Sequence, residues 1–198
     1  MASRINSDMT NPFETIRANS DNQRKSMDWY QRQVRQIASK YNNPAKVFGS
    51  GIGEEVNRPE VGSMYMYLYD PKTKDKLPYY DRFPLVLPYD DAKGGFYGLN
   101  LHYLPYTLRA QLLGALIETK DSKVIGPDTQ MRYNWDLLQR ASRFPGVQPT
   151  VKRYLYSHIQ SKIIKVNPED WKAAIFLPIE QFQGASKQRI YRDSRARL

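Results

Sequence analysis

The sequence predicts an α+β fold: a small antiparallel β-meander or partial barrel followed by several helices, with basic N- and C-terminal arms. Three observations carry this. "MYMYLYD" (64–70) alternates with period two, and two further short apolar runs follow it, each bounded by proline or glycine turns. Beyond residue 105 the apolar positions fall at helical spacing instead. Lysine and arginine concentrate at the two ends of the chain.

Taken in order, residues 1–19 are polar and without a period, which predicts a flexible or partner-ordered arm. From 20 to 41 the apolar stripe Met27, Tyr30, Val34, Ile37, Tyr41 predicts one amphipathic helix ending near "NNP" at 42–44. A single narrow stripe implies docking on the chain's own core, a second copy or another protein. Arg24, Lys25, Arg32 and Arg35 occupy the other faces. Residues 48–63, with glycines at 49, 51 and 53, read as a linker; they lack the Lys-Ser/Thr ending of a phosphate loop. The expected organisation is therefore an arm (1–47), this linker, a globular domain (64–182) and a basic tail (183–198).

Within 64–70, Met64, Met66 and Leu68 should face one way and Tyr65, Tyr67 and Tyr69 the other. "DPKTKDK" is a turn, and "FPLVLPY" (83–89) is a second strand that its prolines mark as short or at an edge. "DDAKGG" turns the chain into a third strand, "FYGLNLHYL" (96–104). Helices are expected over 105–120, with Leu108, Leu112, Ala115 and Leu116 on the packed face, and over 134–144, 150–166 and 167–176.

Composition excludes several classes of function. With no cysteine there is no disulfide, thiolate metal site or cysteine nucleophile. No run of 18 apolar residues exists and the first 30 residues lack a signal-peptide core, so a soluble, cytoplasmically made protein with no membrane partner is expected. His102 and His158 are 56 residues apart without a ligand motif, so no metal and no cofactor are expected. The "GxSxG" signature is absent. "IETK" (117–120) superficially matches part of a metal-dependent nuclease signature, with Asp90 and Asp91 as candidate ligands. On a helix, however, Glu118 and Lys120 diverge by about 200°.

The remaining signals concern binding. The net charge is +10; residues 20–46 carry +4, residues 183–198 another +4, and the rest only +2. Basic arms meet polyanions or acidic protein surfaces. The candidate contacts are Arg24, Lys25, Arg32 and Arg35 in the first arm, and Lys187, Arg189, Arg192, Arg195 and Arg197 in the second. The apolar stripe and the tyrosines Tyr65, Tyr67, Tyr79 and Tyr80 are candidate protein-interface residues. Stacking on nucleic-acid bases is the other use of such a tyrosine face. The lysines at 72–76 stand apart from it in sequence.

The blocks "YDPKTKDKLPYYDRFPLVLP", "GGFYGLNLHYLPY", "RFPGVQP" and "LPIEQFQGASK" together resemble a virion protein of T4-like tailed phages, cyanophages and related myoviruses, of the kind labelled DNA end protector. The resemblance covers residues 24–190. It implies a non-enzymatic virion protein, assembled in the host cytoplasm and held near the head–tail junction. There it would bind the end of the packaged double-stranded DNA, with neck, portal or tail proteins as partners and no small-molecule substrate. Eleven basic residues in two arms would neutralise on the order of 5–10 phosphates without sequence preference. The alternative is a purely structural tail, neck or baseplate component whose arms dock on neighbouring subunits; a metal-dependent nuclease is a distant third.

Overall fold

A computed structural model describes residues 11–18, 25–118 and 147–196. The expected helix at 134–144 lies outside these residues, as do Arg24, Lys120 and Arg197. The architecture is α+β, as the sequence predicts. Six strands form one antiparallel sheet: β1 (Glu54–Val56), β2 (Met64–Met66), β4 (Leu85–Ala92), β5 (Gly95–Asn100), β6 (Val151–Leu155) and β7 (Ile163–Val166). Their spatial order is β1-β7-β2-β4-β5-β6, so β1 and β6 are the edges. A short ribbon pairs β3 (Tyr80–Asp81) with β8 (Phe182–Gln183).

The alternation in the second strand is realised residue by residue. Met64 and Met66 enter a core shared with Leu85, Leu87, Leu99, Ile164 and Val166, and Leu68 packs against it. Tyr65, Tyr67 and Tyr69 face a second core with Val86, Phe96, Tyr154 and Ile163. Tyr67 is fully buried, with ring centroids 6.3 Å from Tyr69, 6.3 Å from Phe96 and 5.5 Å from Tyr154 in edge-on geometry. Burial, and secondarily the neighbouring Tyr154 and Tyr69, raises its phenol pKa well above the ordinary value.

Several sequence expectations change. The segment 150–166 is not a helix but β6, a 3-10 turn (Tyr156–His158) and β7. Val151, Leu155, Ile159 and Ile163 recur every four residues and mimic a helix, yet β-branched and aromatic residues satisfy strand pairing equally well. The run 83–89 is not an edge: β4 is eight residues long and lies between β2 and β5. Its Pro88 is tolerated because the register shifts between Pro88 and Asp90, a bulge where a missing N–H costs no ladder bond. His102 sits in a 3-10 turn (Leu101–Tyr103) after β5 rather than in the strand, and His158 in the turn between β6 and β7.

The helices cover the first core. α1 (Pro12–Ala18) buries Phe13 and Ile16 there, so that part of the expected N-terminal arm belongs to the globule. α2 (Met27–Ile37) starts at Ser26, whose Oγ accepts from Trp29 N at 3.2 Å. Its stripe docks on the chain's own core, with Val34 and Tyr41 buried and Met27, Tyr30 and Ile37 packed beside them. α3 (Pro44–Gly49) follows, capped by Asn43. The expected linker contains buried Ile52 and the strand β1, which pairs with β7.

α4 (Tyr106–Glu118) turns a different face inward from the one expected. Arg109 and Leu113 are wholly buried, Leu108 and Leu112 are half-buried, and Ala115 is exposed. One residue is about 100° of helix rotation, and a buried arginine supplies it. α5 (Trp171–Ala174) packs under α2. The expected tail contains α6 (Lys187–Arg195), capped by Ser186 Oγ and packed through buried Ile190 and Ser194.

Candidate nucleic-acid interface

Two features of the surface combine into one site: an aromatic groove and the basic helix α6 beside it. The groove has a cavity volume of about 620 Å³. One wall is the 71–80 segment, the other the edge strand β6, and Asp193 of α6 lies at its margin. The proline- and tyrosine-rich stretch therefore forms one wall of the groove.

That wall is held at both ends. Tyr69 N donates to Arg82 O at 2.9 Å and Asp70 N to His158 O at 3.0 Å, closing the base of the loop. Lys74 bridges back to Asp70 at 3.0 Å across an exposed turn. On the far side Gly184 has φ +85°, and a Cβ there would meet Pro78 O at 2.6 Å, so the backbone of the chain leading into α6 lies directly against the wall.

Beneath the groove, Asp81 fixes four groups. Its Oδ1 accepts from Phe83 N and Gln181 N at 3.0 Å each; its Oδ2 accepts from Asn100 Nδ2 at 3.2 Å and lies 2.7 Å from His102 Nδ1. Asp81 and His102 side chains are both 0% exposed, and His102 Nε2 finds no hydrogen-bond partner among the described residues. The pair ties β3, β5 and the chain before β8 together under the groove.

A second buried network clamps α6. Arg109, with 0% of its side chain exposed, donates through Nε to Leu104 O at 2.8 Å and through Nη1 to Ile175 O at 3.0 Å. Nη2 meets His102 O at 3.1 Å, and Glu180 Oε1 and Tyr191 OH at 2.6 Å each. Lys187 reaches the same Glu180 oxygen at 2.9 Å, and Tyr106 OH at 2.8 Å. Burial, the largest single influence, would raise the Glu180 pKa, but Arg109, His102 and Lys187 together outweigh it, and the carboxyl is lowered from 4.5 to about 2. Burial raises the Tyr191 phenol, offset in part by Arg109.

The clamp leaves the other face of α6 outward. Arg189 and Arg192 side chains are 56% and 76% exposed, and Arg195 is exposed. Arg189 and Arg192 lie 3.9 and 4.0 Å from Asp193, loose surface pairs of little energetic weight. The groove adds its own cations. Lys72 is exposed on one wall; on β6, Lys152 Nζ sits 4.1 Å from the centroid of Tyr103, and exposed Arg153 donates to Lys93 O at 2.9 Å. Planar rings on a groove with cations along its rim can stack a base and neutralise phosphates together.

The expected site residues divide accordingly. Tyr79 and Tyr80 line the groove, whereas Tyr65 and Tyr67 are spent in the second core and offer no surface to a partner. Arg189, Arg192 and Arg195 face solvent while Lys187 is tied into the clamp. Arg32 and Arg35 are exposed on α2, which is anchored elsewhere, and Lys25 Nζ lies 5.7 Å from the centroid of Trp29. Lys72, Tyr103, Lys152 and Arg153 were not expected as site residues; reading β6 as a helix hides the last two. Asp90 and Asp91 are exposed on the β4–β5 hairpin, and no group of three His, Asp or Glu able to hold a metal ion occurs among the described residues.

An α+β body with an aromatic groove and an outward basic helix carries the side-chain chemistry that suits an anionic, ring-bearing polymer. The chain belongs to the family described as Phage T4 terminal DNA protecting protein, whose profile matches residues 7–195. No curated protein and no solved structure matches it.

Proposed function

We propose that this protein binds the free end of the packaged phage genome and shields it from exonucleases, acting in the virion near the head–tail junction without catalysing a reaction. The observation that carries this reading is α6: three exposed arginines on a helix fixed rigidly to the body beside an aromatic groove. The family's description, a terminal DNA protecting protein, supplies the polyanion. Phosphate contacts by arginine are sequence-independent, as capping a packaged end requires. Arg32 and Arg35 on α2 extend the basic surface and suit either more DNA or the acidic face of a neighbouring neck or tail protein.

The test is binding to a short linear duplex across salt. The expected result is a linear fall of log affinity with log salt, and a shallower slope, by up to about 2, in the Arg189→Glu/Arg192→Glu protein. A slope unchanged by that double substitution would remove α6 from the interface. Absence of binding at low salt would leave α6 to a protein partner.

A further inference from the structure

We propose that the groove between residues 71–80 and β6 receives the terminal nucleotide of a DNA strand, with the base between the walls and the adjoining phosphate on the rim. This rests on the DNA-end reading above and names what that site takes in. Four observations converge on it.

The first is size. A cavity of about 620 Å³ lies within the range of small-ligand sites, roughly 300–1,000 Å³. It is large enough for one nucleotide and too small for a duplex, and a strand end frees a nucleotide at less cost than flipping an internal base does. The second is the lining. Leu77, Pro78, Tyr79 and Tyr80 form one wall and Val151 lies on the other, apolar and aromatic faces suited to the flat surface of a base. Leu77, 41% exposed at the lip, is the large hydrophobic residue left to solvent among the described residues.

The third is charge. Lys72, Lys152 and Arg153 line the groove against two acids: Asp81, engaged beneath the surface by four groups, and Asp193 at the margin, loosely placed near Arg189 and Arg192. The surplus is positive, as a phosphate requires and an acidic side-chain-poor peptide does not. The fourth is the groove floor. Asn100, the one side-chain amide among the described lining residues, spends its Nδ2 on Asp81 and its Oδ1 on His102 N at 3.0 Å. It holds the floor together, and an end of arbitrary sequence asks no more of it.

The experiment uses the full-length protein and duplexes carrying 2-aminopurine at the terminal or a central position, with a closed circular duplex as the end-free control. The expected result is an emission change at the terminal position alone and tighter binding to linear than to circular DNA. Tyr79→Ala and Leu77→Asn should each reduce the preference for linear over circular DNA by about tenfold. Leu77 lies exposed at the lip, so its variant keeps the test valid should the tyrosine variant fold poorly. Binding to circular DNA with no terminal emission change, or variants that keep the end preference, overturns the inference while leaving DNA binding by α6 intact. Loss of all duplex binding in the unaltered protein overturns both.

Discussion

Replacing Arg109 with methionine should unfasten α6 from the body. The guanidinium is wholly buried and makes five contacts: the carbonyls of His102, Leu104 and Ile175, the Glu180 carboxylate and the Tyr191 hydroxyl. Methionine fills the space of the arginine stem but donates to none of them. Three carbonyls then lose a partner, and Glu180, 3% exposed, keeps Lys187 and Tyr191 among the described residues. Removing one member of a buried ion pair costs about 3–5 kcal/mol, because the surviving charge stays buried. The upper half of that range is expected here, since unpaired buried carbonyls add their own desolvation. Urea unfolding followed by tyrosine fluorescence reads the loss, and limited proteolysis reads its location, with early cleavage after the arginines of α6. A loss below about 1 kcal/mol, or a large loss with α6 still protected, would refute the clamp.

Further outcomes follow from the same structure. Because the Glu180 pKa is lowered from 4.5 to about 2, its stabilisation is complete above the unfolded value and disappears as pH falls from about 5 towards 2. At roughly 1.4 kcal/mol per unit that is about 3 kcal/mol, and the Glu180→Gln protein should show a flatter acid-unfolding profile. Phe13→Ala should cost about 3–5 kcal/mol in chemical denaturation, since the ring is fully buried in the main core; an arm outside the globule would tolerate it. Gly184→Ala combines a positive φ with a Cβ at 2.6 Å from Pro78 O and should weaken end preference by displacing the groove wall, read in the 2-aminopurine assay.

Much of the fold is written locally. The alternation of Met64 to Tyr69 specifies two faces, and both are filled as it implies. The turn at Lys93–Gly94 joins the two strands it separates. What is not local is lost. Residues 150–166 carry a four-residue apolar spacing that fits helix and strand alike, and only pairing with β5 on one side and β1 and β2 on the other decides it. Arg109 reads as a surface residue because its five partners lie between 5 and 82 positions away along the chain.

The site was half legible for the same reason. Tyr79, Tyr80 and the arginines of 189–195 announce themselves by composition. Their meeting depends on Asp81 and Arg109, each satisfied by groups remote in sequence. The lysine at 72, apart from the tyrosine strand in the sequence, comes onto the same groove as Tyr79 when the loop folds back on β6. Tyr65 and Tyr67 show the converse: an exposed-looking aromatic face whose partners are the chain's own Phe96 and Tyr154.

Because α6 supplies Ile190 and Ser194 to the interior, removing the tail would damage the fold along with the charge. Charge reversal on the helix is the cleaner perturbation. The most direct test is digestion of a linear duplex by a processive exonuclease at about 50 and 200 mM salt, with the intact protein and the Arg189→Glu/Arg192→Glu protein compared. Protection at low salt that weakens at high salt and with the charge reversal is the predicted result. A folded protein that leaves the ends open to digestion, or one whose protection ignores both salt and the two arginines, would contradict DNA-end binding through this face.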